Sequence, residues 1–354
     1  MDVRRRVALR VVQEGCSISQ AAREFGLSRT TVSLWVHRAH AAGIAGLTEG
    51  SRRPHTMRTT CPDDVVSMVL EMKSRRPAWG AKKILAWLWP EDPPVCVRTV
   101  DRILAREGLV RHRSEKRELQ RFEKLASNEL WQMDFKGMSH PHLGYSPLSV
   151  LDDHSRFCLA FEPVATHSVD EVWPVLWALF ERYGLPDMIL TDNEPCFHTN
   201  TGYGPSPIEA RLWLLGIKTT QCRAAHPQTQ GKVERFHRTL QDELGDSLRQ
   251  PDATQARALY KPFVDYYNWE RPHEAIGMRV PGAIYEPSHR PRPKQMPTHC
   301  PLGETRLVDC TGRFLYRGIR YRAGRGLGGE RIDLRADGAY YAGILVGPLE
   351  QLKV

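Results

Sequence analysis

The 354-residue sequence predicts a mixed α/β core, preceded by all-α helix-turn-helix modules and followed by a small β-barrel. Three observations carry this expectation. Between about residues 125 and 285, short apolar or alternating runs (LWQMDF, PLSVLD, CLAFEPVA) give way to helical and strand-like segments in alternation. Ahead of them lie two stretches of helical periodicity punctuated by Gly and Pro. Behind them, short strand-like runs are separated by Gly-containing turns. The expected modules are a helix-turn-helix over 1–50, a second helical module of the same kind over 60–113, the α/β core over 125–285 and the barrel over 300–354.

The first module reads as three helices. Apolar residues recur at helical spacing from Val3 to Glu14, and Gly15 ends the run. Ser17 caps SISQAAREFG and Ser28 caps SRTTVSLWVHRAHAAG, whose buried stripe is Val32, Trp35, Val36 and Ala39. Two short helices joined at FGLS make a helix-turn-helix. The first turn of the second would meet the major groove, so Arg29, Thr30, Thr31 and Ser33 are candidate base or phosphate contacts. A helical bundle that never meets DNA would show the same pattern. The second module offers Val97 to Glu107 as a candidate recognition helix carrying Arg98 and Arg102, with a plain helical spacer as the alternative. Residues 114–127 read as a charged helical connector.

In the core, three strand-like runs precede SVDEVWPVLWALFERYG, a helix with Trp173, Leu176, Trp177 and Phe180 on its buried side. A short strand at Met188 to Thr191, a helix at IEARLWLLG, a strand at IKTTQC and the amphipathic helix KVERFHRTLQDELG follow, then a long helix from ATQARALY onward. The proline-rich stretch after Pro281 reads as an extended linker into the barrel.

Charge narrows the functional class. The net +9 is unevenly spread: residues 1–117 hold 22 Lys and Arg against 12 Asp and Glu, residues 118–284 hold 16 against 22, and residues 285–354 hold 12 against 7. Two basic arms thus flank an acidic middle, which suits a polyanion partner with bound cations offsetting the central charge. The eight cysteines show no CxxC pair and no Cys/His ligand spacing, which argues against a disulfide framework or structural zinc. No run approaches the roughly 18 apolar residues that span a bilayer, and the amphipathic N-terminus is unlike a secretory signal. The expectation is a cytoplasmic protein, associated with the nucleoid when bound to DNA.

Three acids stand out. Asp134 sits inside the apolar run LWQMDF, where a charge is costly unless paired or metal-bound. Asp192 follows the buried strand ILT, at the carboxyl end where ligands collect. Glu234 lies on the helix after HPQTQGK, with Arg238 one turn on. Converging on one point they would repel unless cations lay between them, and oxygen ligands suit two magnesium or manganese ions. Read singly, they could equally be a strand-edge acid, a loop starter and a solvated helix acid.

WQMDFKG, the strand-turn VLDDHSRF, TDN followed by a Phe, HPQTQGKVERFHRTL and the trailing YYNWERPHEAIGMRVPGAIY resemble, in this order, the integrase-like insertion-sequence transposases. The resemblance covers roughly residues 125–285. It implies a ribonuclease-H-like core in which Asp134, Asp192 and Glu234 hold two Mg2+ (or Mn2+) ions. It also implies hydrolysis at the 3′ ends of an element, transfer of those ends into target DNA, double-stranded DNA as partner and a homo-oligomer of at least two copies. Lys232 and Arg238 become candidate phosphate contacts, and Asn193 and His226 candidates for positioning substrate. Three features depart from the family pattern. Glu194 stands where Gly often follows Asp-Asn. The Asp192–Glu234 interval holds 41 residues rather than the usual thirty-five, an excess expected in the surface loop HTNTGYGPSP. Gln241 stands where Lys or Arg commonly lies, seven residues after the helical Glu.

Overall fold

The computed structural model describes residues 2–48, 61–110, 123–137, 144–192, 194–198, 204–221 and 231–353. The chain forms two compact units, Met1–Thr60 and Cys61–Val354.

The first unit holds α1 (Val3–Val12), α2 (Ile18–Glu24) and α3 (Arg29–Ala42). Each start is set by a side-chain cap, which satisfies amide donors that the first helical turn leaves open. Asp2 caps α1, Ser17 forms a reciprocal capping box with Gln20 on α2, and Ser28 accepts from the Thr31 amide on α3. Gly26 takes a left-handed φ of 65° where the chain turns between α2 and α3. Val7, Ala21, Ala22, Val32 and Val36 make the small core, with Trp35 packed at its margin.

The second unit begins with α4 (Asp63–Arg75), α5 (Ala81–Leu88) and α6 (Val97–Arg106). Their apolar faces (Val69, Ile84, Val100, Ile103 and Leu104 among them) share one core with the helices of the α/β region. Lys73 is buried against this core, its ammonium donating to the carbonyls of Pro77 and Trp79 at 2.8 Å each.

The α/β region is built on β1 (Trp131–Phe135), β2 (Ser146–Asp152), β3 (Cys158–Val164), α7 (Val169–Tyr183), β4 (Met188–Thr191), α8 (Pro207–Leu214), β5 (Lys218–Gln221), α9 (Gly231–Leu244) and α10 (Ala253–Trp269). The five strands lie in the order β3-β2-β1-β4-β5. The first three are antiparallel neighbours, while β4 and β5 run parallel to β1 and each other. These are the strand order and directions expected of a ribonuclease-H-like sheet. Strand alternation divides the side chains between its faces. Trp131, Met133 and Phe135 join α7 and α8 in one core, whereas Leu151, Cys158 and Phe161 face α9 and α10 in the other.

Two sequence expectations fail between the elements. Residues 123–127 of the supposed helical connector are not helical, and 114–122 lie outside the described residues. The reason is local pinning. Glu123 pairs with Arg156 at 2.7 Å, the Lys124 amide donates to Asp153 at 2.8 Å, and the Lys124 carbonyl lies 2.9 Å from His154 Nδ1. The stretch after Pro281 is a strap laid on the core rather than a free linker. Tyr285 stacks on Phe157 with centroids 4.4 Å apart, and the Arg290 guanidinium reaches Asp187 and the carbonyls of Pro186, Leu215 and Gly216.

The C-terminal region is also corrected. β6 (Glu304–Leu307), β9 (Arg331–Arg335), β10 (Gly338–Tyr341) and β11 (Ile344–Gly347) form an open sheet in the order β11-β10-β9-β6. β7 (Arg313–Tyr316) and β8 (Ile319–Arg322) form a separate hairpin. No closed barrel exists among the described residues. Between β8 and β9 the chain makes a 3-10 turn over Arg325–Leu327 instead of continuing the ladder, and Leu327 shares a core with Ala210 of α8.

Candidate active site

The site is generated by sheet register. In the parallel pair, Gln132 of β1 lies beside Leu190 of β4 and Met133 beside Thr191, so the next step sets Asp134 beside Asp192 where β4 ends. On the other side of β1, Asp134 faces Ser149 of β2. α9 lies across this face, with Val233, Phe236 and Leu240 buried beneath it and Glu234 exposed in its first turn.

The acids lie within reach of one another's charge. The Asp134 carboxyl is pushed up to about 7, first by burial and then by the charge of Asp192, with smaller contributions from Glu234 and Glu194. The Phe135 amide offsets part of this by hydrogen bonding. Asp192 is also raised, chiefly by burial. The acids therefore share one field. They are not drawn onto one point: among the described residues, no three His, Cys, Asp or Glu side chains are gathered closely enough to hold a metal ion. Carboxylates that repel one another stay apart unless a cation compensates them. The donor set is all oxygen and the field is that of excess negative charge, so the residues fit hard divalent ions such as Mg2+ or Mn2+.

One neighbour was missed at the sequence level. His237 stands one turn beyond Glu234, its Nε2 2.7 Å from Ser149 Oγ and its Nδ1 3.9 Å from Asp134 Oδ2. Burial, aided by Lys136, lowers its pKa to about 3. The contact with Asp134 is therefore a neutral imidazole facing a carboxyl, not an ion pair. Its signal in the sequence was only the spacing in VERFHR. A second neighbour, His167, stacks on Phe135 with centroids 3.8 Å apart and pairs with Glu194 at 2.7 Å. The departing Glu194 is thereby tied to a partner of its own.

The other expected residues divide. Arg29, Thr30 and Ser33 are exposed at the start of α3, while Thr31 is half-buried with its hydroxyl 2.7 Å from Ser28 Oγ. Arg98 and Arg102 are exposed on α6, as is Arg238 on α9. Lys232, expected at phosphate, instead directs its ammonium to the fully buried Asp153. Asn193 and His226 lie outside the described residues. The doublet Asp152-Asp153 lies at the turn leaving β2, where Arg156 pairs with Glu123 and donates to the Asp153 backbone carbonyl. The long interval before Glu234 also has a structural use. Gly204 and Gly326 lie where a β-carbon would strike the backbone of Ala323 and of Pro205-Ser206, so residues 204–206 of the expected surface loop seat the C-terminal region, while 199–203 lie outside the described residues.

The mixed five-stranded sheet, with acids at the β1/β4 step and on the helix that crosses it, agrees with the arrangement that the sequence resemblance implies. The integrase core domain family matches residues 124–227 and, in a second profile, 215–281; the winged helix-turn-helix family matches residues 5–65. Residues 124–281 are thus similar to integrase core domains and residues 5–65 to a winged helix-turn-helix, the order of parts expected of an integrase-like transposase. Transposase InsD of Escherichia coli insertion element IS2 is 25% identical over 284 residues, spanning 73% of this chain and 91% of InsD. The Gag-Pol polyprotein of baboon endogenous virus is 32% identical over 115 residues, or 32% of this chain and 6% of the polyprotein. The HTLV-2 integrase catalytic core domain, solved in complex with magnesium, overlays with a TM-score of 0.36 at 19% identity, covering 45% of this chain and 97% of that one.

Proposed function

We propose that this chain is a DNA transposase that hydrolyses the 3′ ends of its element and joins them to target DNA. The observation that carries the reading is the β1/β4 register, which sets Asp134 beside Asp192 under the helix that bears Glu234. These three carboxylates would supply the oxygen ligands for two divalent ions, Mg2+ or Mn2+. Such ions, when bound, activate the attacking oxygen and stabilise the leaving 3′ oxygen of an in-line displacement at phosphorus.

The chain's own residues orient and bind. His237, neutral and anchored at Ser149, stands with its Nδ1 facing Asp134 Oδ2 and lines the site beside that carboxyl. Arg238, exposed one turn beyond Glu234, is available to a phosphate, and Asn193 and His226 are proposed to position the substrate strand. Arg29, Thr30, Thr31 and Ser33 would read or grip the element's ends through a helix N-terminus in the major groove. Arg98 and Arg102 would add backbone contacts. Two ends must be processed together, so the working form is an oligomer of at least two copies, acting on nucleoid DNA in the cytoplasm.

The test is cleavage and joining of labelled DNA carrying the element's own flanking ends, with Mg2+ or Mn2+. Wild type should give metal-dependent joined product and Asp192→Asn none. Cleavage without joining would indicate a nuclease; binding with neither, in both proteins, would indicate a DNA-binding regulator.

A further inference from the structure

Asp153 is a fully buried carboxylate at the turn leaving β2, and three separate parts of the chain supply its donors. Gln132 Nε2 of β1 donates to Oδ1 at 2.7 Å, the Lys124 amide donates to Oδ2 at 2.8 Å, and the Lys232 ammonium of α9 pairs with Oδ1. Two of these donors hold matching places. Gln132 stands two residues before Asp134 on β1, and Lys232 stands two residues before Glu234 in the first turn of α9. Gln132 and Asp134 project from the same face of the strand because side chains alternate. One buried acid thus ties together the backbone segments that carry two of the three site carboxylates.

The chemistry makes the tie stiff. A buried carboxylate held by a cation and neutral donors tolerates little displacement, since any partner that moves leaves charge uncompensated in a low-dielectric interior. The Lys232 side chain is itself only 14% exposed, and its stem is confined with it. The Asp153–Lys232 pair acts on the first turn of α9, ahead of the second directional tie to the sheet, from His237 to Ser149 at 2.7 Å. The buried contacts of Val233 and Phe236 set its rotation, but apolar packing is non-directional along the helix axis.

We infer that Asp153 is a positioning residue that, through Gln132 and Lys232, fixes the separation of Asp134 and Glu234, and with it the affinity of the site for divalent metal. The inference rests on the proposed metal-binding role of those acids. It gives Lys232 a function at the site other than contact with phosphate.

The experiment is a Mn2+ titration of the full chain without DNA, followed by the EPR signal of the free ion, with Tm measured in EDTA alongside. Lys232→Met should weaken Mn2+ binding by about tenfold or more, and Lys232→Arg, which keeps the charge and donors, should restore most of it. If Lys232→Met does not fold, the double variant Asp153→Asn/Lys232→Met removes both charges together. It should fold and still bind Mn2+ at least tenfold more weakly. Folded Lys232→Met, or the folded double variant, with a lowered Tm but wild-type Mn2+ affinity would show a purely structural pair and overturn the inference. Asp134→Asn is the reference. If it loses Mn2+ binding while Lys232→Met does not, the positioning role alone fails. If Asp134→Asn binds Mn2+ as wild type does, the metal-site reading fails and takes the inference with it.

Discussion

The indole Nε1 of Trp79 donates to the hydroxyl of Tyr266 at 2.8 Å, joining the helical segment before the core to α10 across 187 positions of sequence. The same hydroxyl lies 3.1 Å from Glu243 Oε1, and Glu243 in turn receives Arg271 Nε at 3.2 Å. The Arg76 guanidinium stands 3.9 Å over the Tyr266 ring and pairs with Glu270. α4–α6 are therefore fixed to the helices behind the site, and Arg98 and Arg102 are presented from a firm support. Tyr266→Phe would leave the buried Trp79 N–H and the Glu243 carboxylate short of a partner, at a cost of about 1–3 kcal/mol. Urea unfolding would measure it; a change below about 0.5 kcal/mol would contradict the network.

The C-terminal region should depend on one glycine. A β-carbon at Gly326 would lie 2.4 Å from the Pro205 carbonyl oxygen and from the Ser206 carbonyl carbon, both backbone atoms that cannot swing aside. Gly326→Ala should cost about 1–3 kcal/mol through overpacking. It should also loosen Leu327 from the core it shares with Ala210. Limited trypsin digestion would detect this as faster cleavage within residues 300–354, and an unchanged digestion rate would refute it.

Stability should fall on the acid side. His273 is buried beside Arg271, and burial followed by the Arg271 charge holds its pKa well below the ordinary value of 6.5. Above that value both folded and unfolded chains carry it neutral, so its contribution is constant. As pH falls below about 6.5 the unfolded chain gains a proton that the folded chain refuses, and stability drops by up to about 1.4 kcal/mol per pH unit. Urea midpoints at pH 7.5 and 5.0 should therefore differ less for His273→Gln than for the wild type. Equal differences in the two proteins would exclude His273 as a source.

Arg29 is exposed at the start of α3 and its removal leaves the Ser28 cap intact. Arg29→Ala should weaken binding to the element's ends and, if the contact is to phosphate, reduce the slope of log K against log salt by about 1. A salt titration by fluorescence anisotropy would check both. Unaltered affinity and slope would remove this turn from the interface.

Much of this architecture was legible in the sequence. The alternation in WQMDF and SPLSVLD marked strands with two buried faces, and Ser17 and Ser28 marked helix starts that the structure bears out. The helical setting of Glu234 was readable as well. Pairings between distant, ordinary residues were not. Asp153 looked like a turn acid and Lys232 like a phosphate ligand, because nothing local tells a turn carboxylate at the surface from one buried under a helix 79 positions later. The strap after Pro281 resembled a linker because prolines mark extended chain whether or not it is packed. Its anchors, Tyr285 on Phe157 and Arg290 on Asp187, are single side chains without periodicity. Six short strands could not say whether their sheet closes, since closure depends on the 3-10 turn at Arg325–Leu327 and its seat on α8.

The central claim is that Asp134, Asp192 and Glu234 jointly ligate divalent metal. The most direct measurement is anomalous diffraction from crystals of the full chain grown with Mn2+. The account predicts two manganese peaks about 3.5–4 Å apart, bounded by these three carboxylates. Manganese bound elsewhere, with the three acids left unliganded in crystals of protein that joins DNA in the same buffer, would contradict it.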